Sequence, residues 1–214
     1  MKLKLYYAPI SCSLVPYVAL IEAGAKFEVH VVNFMRGEHV SDAYMRINPK
    51  HKVPVLLIDG VPLTENVAIL QWIASQYPQA NLLPRGGLEE FKAISFLAWC
   101  AAGIHPHLTP NVLPERYCDL PGTEESVRRC AQKMLLENFQ IAEDLLAGRD
   151  WFFDRFTLAD AYFFWCFRRG VAFKVDMSGF PNCRTHFNRV SARASIQNLI
   201  SFEERAMASF QNQR

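Results

Sequence analysis

The chain lacks any marked excess of charge of one sign. Lys and Arg number 23 against 21 Asp and Glu, a formal net charge of +2, and the basic residues are scattered along the chain. No nucleic-acid partner is expected from such a distribution. Also missing is an uninterrupted apolar run of the roughly 18 residues that cross a bilayer. Even "LTENVAILQWIASQY" carries Glu65, Asn66 and Gln71. The opening "MKLKLYYAP" alternates charged with apolar residues and has neither the continuous apolar segment nor the small-residue cleavage site of a secretory signal. A membrane partner is therefore not expected, and the expected location is cytoplasmic. Six cysteines, Cys12, Cys100, Cys118, Cys130, Cys166 and Cys183, stand far apart without a C-x-x-C pair. That spacing argues against a disulfide framework, and reduced thiols are expected. Internal repeats and low-complexity segments are absent as well.

What is present is an ordinary globular composition, 214 residues of which 50% are hydrophobic and 13% aromatic, enough for one large domain or two modest ones. "LKLYYAP" and "KFEVHVVNF" show strand-like enrichment, and "VPYVALIEAG" between them has helical spacing with Gly24 as its C-cap. "SDAYMRINP" reads as a short helix or turn. "VPVLLID", a Gly60 turn and "VPLTE" form a hairpin, and "ENVAILQWIASQYP" is an amphipathic helix ended by Pro78. This β-α-β then β-β-α order predicts an α/β, thioredoxin-like domain over residues 1–79. "PQANLLPRGG" has linker composition, placing a linker at 80–87. From Leu88 the apolar spacing is helical throughout, so 88–214 is expected to be all-α. Within it "TLAD", Thr157 to Asp160, reads as a capping box whose role is folding.

Three segments can carry chemistry. Pro16 is comfortable only in the first turn of a helix, so the first helix begins near Ser11 to Ser13 and Cys12 lies at its positive end. Such a setting lowers a thiol pKa from about 8.5 toward about 3.5 to 7.5. Free cysteine is also among the most buried residues, and position alone leaves both readings open. Val53-Pro54 precedes a strand; a cis bond there turns the Val53 backbone outward toward a peptide-like ligand, whereas a trans bond is ordinary. At "LTENVAIL" a helix N-terminus can take a carboxylate while Glu65 takes an ammonium, the two ends of an amino-acid head group. The same T-E-N run also reads as a plain N-cap.

Together these segments resemble the cytosolic glutathione S-transferases, most closely the bacterial beta class. The resemblance rests on "KLYYAPISCSLVPYVALIEAG", "INPKHKVPVL", "LTENVAILQWIA" and "FTLADAYFFW", in that order. It implies the fold of that family, with the helical domain contributing an electrophile pocket, and an activity that conjugates glutathione to small hydrophobic electrophiles. Cys12 would face the glutathione sulfur and could form a mixed disulfide with it, flanked by Ser11 and Ser13 as hydroxyl donors. Val53, ahead of Pro54, would pair its backbone with the cysteinyl part, while Glu65 and Asn66 would hold the γ-glutamyl amine and carboxylate. Lys52 stands where relatives usually have glutamine.

In "AAGIHPHLTPNVLP" His105 matches the family's histidine, Pro106 replaces a lysine and is expected to bend the helix, and His107 can compensate for the lost charge. H-x-H has no third ligand at sensible spacing, so no metal is expected. Leu108, Val112, Tyr117, Phe163 and Trp165, with His105, are candidates for the electrophile wall, with core packing the default reading for each aromatic. The resemblance also implies a homodimer. The competing functions are a thiol-disulfide or peroxide reductase acting through Cys12, and a non-enzymatic ligand- or partner-binding protein.

Overall fold

A computed structural model of the chain describes residues 1–211. The apolar residues of "LKLYY" form β1 (Leu3–Tyr7), and the buried face of "LVPYVALIE" forms α1 (Leu14–Glu22). Gly24, at φ +66°, ends α1 in a left-handed cap: its amide donates to the Ile21 carbonyl at 3.0 Å and the Ala25 amide to the Leu20 carbonyl at 3.0 Å. The chain returns as β2 (Glu28–Val31), makes the single turn α2 (Asp42–Met45), and then forms β3 (Val55–Ile58) and β4 (Val61–Thr64). Asp59 and Gly60 between these last strands both have positive φ, the geometry a two-residue hairpin requires. Next comes α3 (Asn66–Gln76), ended ahead of Pro78. The sheet order is β2-β1-β3-β4, with β1 parallel to β2 and antiparallel to β3. Leu5, Leu14, Val18, Leu56, Ile69 and Ile73 are fully buried beneath it.

The remaining helices are α4 (Gly87–Trp99), α5 (Glu124–Leu145), α6 (Leu158–Ala172), α7 (Pro181–Ser191) and α8 (Ala194–Gln211). No helix among the described residues is long and apolar enough to cross a membrane. Two compact units result: residues 1–83 with the chain from Ala192, and Pro84–Ser191. The expected division left α8 with 88–214, whereas its contacts group it with the sheet. Arg193 donates twice to the Glu22 carboxylate, at 2.9 and 2.8 Å, Ser195 donates to it at 2.5 Å, and Phe202 stacks on Tyr17 with ring centroids 5.1 Å apart. Helical periodicity marks an apolar face without marking the element it covers.

Between α4 and α5 the expected helix does not continue. Cys100–Ile104 widens into a π turn, and three 3-10 turns follow, His105–His107, Thr109–Asn111 and Pro114–Arg116. Pro106, Pro110 and Pro114 recur every fourth residue. Each lacks the amide that would bond four residues back and crowds the carbonyl there, so one α turn after another is interrupted. The capping box of α6 forms as expected. The Thr157 hydroxyl accepts from the Ala159 amide at 3.3 Å, and the Asp160 carboxylate takes the Thr157 amide at 2.8 Å. Asp160 also accepts from the Phe152 amide at 3.1 Å and meets His186 Nε2 at 2.9 Å, all of it buried.

Candidate functional site

Cys12 occupies the loop between β1 and α1, one residue ahead of the Ser13 N-cap, and is 9% exposed. Its Sγ donates to the Val53 carbonyl at 3.5 Å, and the Asn66 side-chain amide donates to the Cys12 carbonyl at 3.1 Å. Three segments distant in sequence thus meet within the first unit: the β1–α1 loop, the Val53-Pro54 bond ahead of β3, and the start of α3. The Val53-Pro54 peptide is cis. The segment before it is held by a shared acceptor: the Lys52 carbonyl receives the Tyr44 hydroxyl at 2.7 Å and the Asn48 amide at 2.8 Å.

Of the two readings open for Cys12, the buried one fits the structure. Burial pushes the thiol up to about 12, outweighing the hydrogen bonds at its own amide and at Asn66; Glu65 adds to the rise and only Lys52, among the charges, opposes it. Other nearby amides are engaged elsewhere. The Leu14 and Val15 amides donate back to the Ser11 and Cys12 carbonyls at 3.1 and 3.2 Å, and the thiol faces an acceptor, Val53, that favours its protonated form. The Ser11 and Ser13 hydroxyls are engaged within the loop. The Ser11 hydroxyl donates to the Ala8 carbonyl at 2.8 Å, the Ser13 hydroxyl accepts the Ala8 amide at 3.0 Å, and the two hydroxyl oxygens lie 2.6 Å apart. Both serines shape the loop.

At α3 the T-E-N run is not a side-chain cap: Glu65 is the N-cap and no side chain bonds the first-turn amides. Glu65 has φ +71°, a costly conformation for a non-glycine residue, and its side chain is exposed. Its carboxylate pairs with Lys50, which also donates to the Thr64 hydroxyl at 2.8 Å. Asn66 is buried at 6% exposure, and its Oδ1 has no hydrogen-bond partner in this structure. An unpartnered acceptor beside an exposed carboxylate and uncapped amides suits a zwitterionic head group.

Two contributors escaped the sequence reading. Lys50 belongs to the basic run "PKHK", whose spacing alone does not say which lysine turns toward Glu65. Glu203 of α8, 2% exposed, accepts the Tyr7 hydroxyl at 2.5 Å and the Ile10 amide at 2.7 Å, bracing the loop that carries Cys12. A glutamate on the apolar face of "LISFEERAMASF" was its only signal.

The remaining candidates belong to the second unit. The His105 ring packs against Trp165 at 4.4 Å, edge to face. Leu108, Phe163 and Trp165 are core residues at 2%, 0% and 3% exposure, because Leu158 through Phe167 are all buried. Val112 and Tyr117 are exposed, and His107 and Tyr117 line a cavity with residues of α5. The five residues expected to form one wall are therefore divided between core and surface.

Comparison with known proteins covers nearly the whole chain. Residues 1–75 match the family model for the glutathione S-transferase N-terminal domain, and residues 97–194 match that for the C-terminal domain. The glutathione S-transferase GstA of Escherichia coli O157:H7 is 33% identical over 205 residues, covering 94% of this chain and 98% of that protein. A sphingomonad glutathione S-transferase solved in complex with glutathione superposes with TM-score 0.83 at 29% identity, over 94% of this chain and 98% of that one. The beta-class enzyme of Sphingomonas chungbukensis gives TM-score 0.83 at 31% identity with the same coverage.

Proposed function

Since this chain belongs to the glutathione S-transferase family, we propose that it conjugates glutathione to small hydrophobic electrophiles, with the tripeptide held by the first unit. The observation that carries the reading is the convergence of Cys12, the cis Val53-Pro54 peptide and Asn66. Glutathione offers an amine, two carboxylates and an extended backbone, and the site offers a counterpart for each part of the head group. Glu65 takes the γ-glutamyl ammonium in exchange for Lys50, the unpartnered Asn66 Oδ1 accepts a hydrogen from it, and the uncapped α3 amides take the carboxylate. The Val53 backbone pairs with the cysteinyl part. Lys52, whose charge favours an anion at this locus, lies where the glycyl end or the developing thiolate would benefit.

In the reaction the glutathione thiol loses its proton to solvent, its sulfur forms a bond to the electrophilic carbon, and that carbon's halide departs. The nucleophile is the substrate's own sulfur. A protonated, buried Cys12 fits a neighbour that contacts this sulfur, and disfavours a resting thiolate that attacks disulfides. A homodimer is part of the reading: Leu88 and Phe91, one turn apart on α4, are 69% and 66% exposed, which a second copy would relieve.

Retention on immobilised glutathione, with turnover of a generic aryl halide, tests the proposal. Wild type and Cys12→Ser should both be retained and active. A folded protein that neither binds the resin nor consumes the halide overturns it.

A further inference from the structure

The basic run Lys50, His51, Lys52 is wrapped around one buried side chain. Asn48, 1% exposed, accepts the Lys50 amide on its Oδ1 at 3.1 Å, donates from its Nδ2 to the Lys52 carbonyl at 2.8 Å, and accepts the His51 amide on its own carbonyl at 3.1 Å. His51, at φ +57°, completes the turn. Three hydrogen bonds to one residue fix the point from which the Lys50 side chain departs. From there its Nζ donates to the Thr64 hydroxyl at 2.8 Å and pairs with the Glu65 carboxylate.

Glu65 is anchored on its side as well. Its carbonyl accepts the Ile69 amide at 3.0 Å, and the next residue, Asn66, is tied through its side-chain amide to the Cys12 carbonyl at 3.1 Å. The carboxylate thus offers one seat for a cation at the start of α3, and the Lys50 ammonium sits in it. Next to it the buried Asn66 Oδ1 has no hydrogen-bond partner, and the first-turn amides of α3 carry no side-chain cap. An α-amino-acid head group uses all three features together, its ammonium at Glu65 and Asn66 and its carboxylate at the amides. A lysine side chain satisfies only the first.

We propose that Lys50 is a built-in competitor of the ligand: its ammonium holds the seat that Glu65 offers to the γ-glutamyl ammonium, leaves it when glutathione docks, and so sets the affinity of the site. This rests on the reading of the first unit as the glutathione site. Binding then exchanges one ion pair for another and creates none. Glutathione prevails because its head group also bonds to Asn66 and to the α3 amides, while Lys50 returns to water from a half-exposed position at little cost. The exchange weakens ground-state binding without touching the reacting sulfur, and tighter ground-state binding adds nothing to turnover once substrate exceeds KM. A ligand without the amine leaves the pair of Lys50 and Glu65 in place. Lys50 therefore narrows the margin by which the site prefers a free amine.

The test titrates full-length wild type, Lys50→Met and Lys50→Arg with glutathione and with its deaminated analogue, glutaryl-cysteinylglycine. Lys50→Met should bind glutathione about two- to fivefold tighter than wild type, the worth of one exposed ion pair, and the analogue with unchanged affinity. Lys50→Arg keeps the pair and should bind glutathione as wild type does. The gain in Lys50→Met should shrink in about 1 M KCl, where the screening length falls to about 3 Å, because only that variant forms a new ion pair on binding. Glutathione bound by Lys50→Met no more tightly than by wild type overturns the proposal, and weaker binding would make Lys50 a ligand contact instead. A gain equal for both ligands, or undiminished by salt, also overturns it, since a general change in the loop would produce either. Wild type that takes up no glutathione overturns the reading of the site itself, and the proposal with it.

Discussion

The thiol of Cys12 should resist ionisation. Burial moves it from an ordinary 9.0 to about 12. Three pKa units correspond to about 4 kcal/mol of preference for the protonated form, and at pH 8 they reduce the thiolate population about a thousandfold relative to an unperturbed thiol. The linkage has a definite sign. Between pH 9 and about 12 the unfolded chain has released this proton and the folded chain has not, so the unfolded state binds fewer protons and stability falls as pH rises through that window. Replacing Cys12 with Ser removes the titration. The assay is the thiolate absorbance near 240 nm, recorded as wild type minus Cys12→Ser so that tyrosines and the other five cysteines cancel. A difference curve flat to pH 9, with wild type losing stability faster than the variant above it, is expected. A midpoint below about 8 would refute the reasoning, because it would mean that the field at the start of α1 outweighs desolvation.

Other consequences concern the fold that supports the site. Glu203→Ala leaves the Tyr7 hydroxyl and Ile10 amide without their acceptor and should cost about 2 to 4 kcal/mol in urea unfolding, with Tyr7→Phe non-additive in the same background. Asp160→Ala removes the acceptor of two buried amides and of His186, and should cost more than Thr157→Ala, for which about 1 kcal/mol is expected; equal losses would contradict the hub role of Asp160. Glu22 is raised by burial, but the two Arg193 bonds and Ser195 outweigh this and leave it below 4.5. Its contribution is present above that pH and is lost as pH falls through the folded value. Glu22→Gln should therefore flatten the acid limb of the stability curve below pH 4.5, as circular dichroism would record.

Local chemistry made much of this molecule legible. The Gly24 cap, the Asp59-Gly60 hairpin and the Thr157-Asp160 box each depend on a few adjacent residues, and each formed where its residues stand. That the segments at Cys12, Val53-Pro54 and Asn66 could carry chemistry was legible because each places particular residue types next to a strand or helix end. Their electrostatics were not. The state of Cys12 depends on the Val53 carbonyl and on burial, which belong to the tertiary structure. Pro106 announced a bend, yet the extent of the interruption, a π turn before it and three 3-10 turns from His105 to Arg116, was not legible from that one residue. For Phe163 and Trp165 core packing was the default reading beside the pocket, and both are buried in the core.

Calorimetric titration of glutathione into wild type and Glu65→Gln tests the central claim most directly, since Glu65 is exposed and its replacement spares the fold. A saturable heat in wild type and binding about tenfold weaker in the variant are predicted, the loss of one charge-assisted contact to the ammonium. No heat from wild type, or equal affinity in the two proteins, would contradict it.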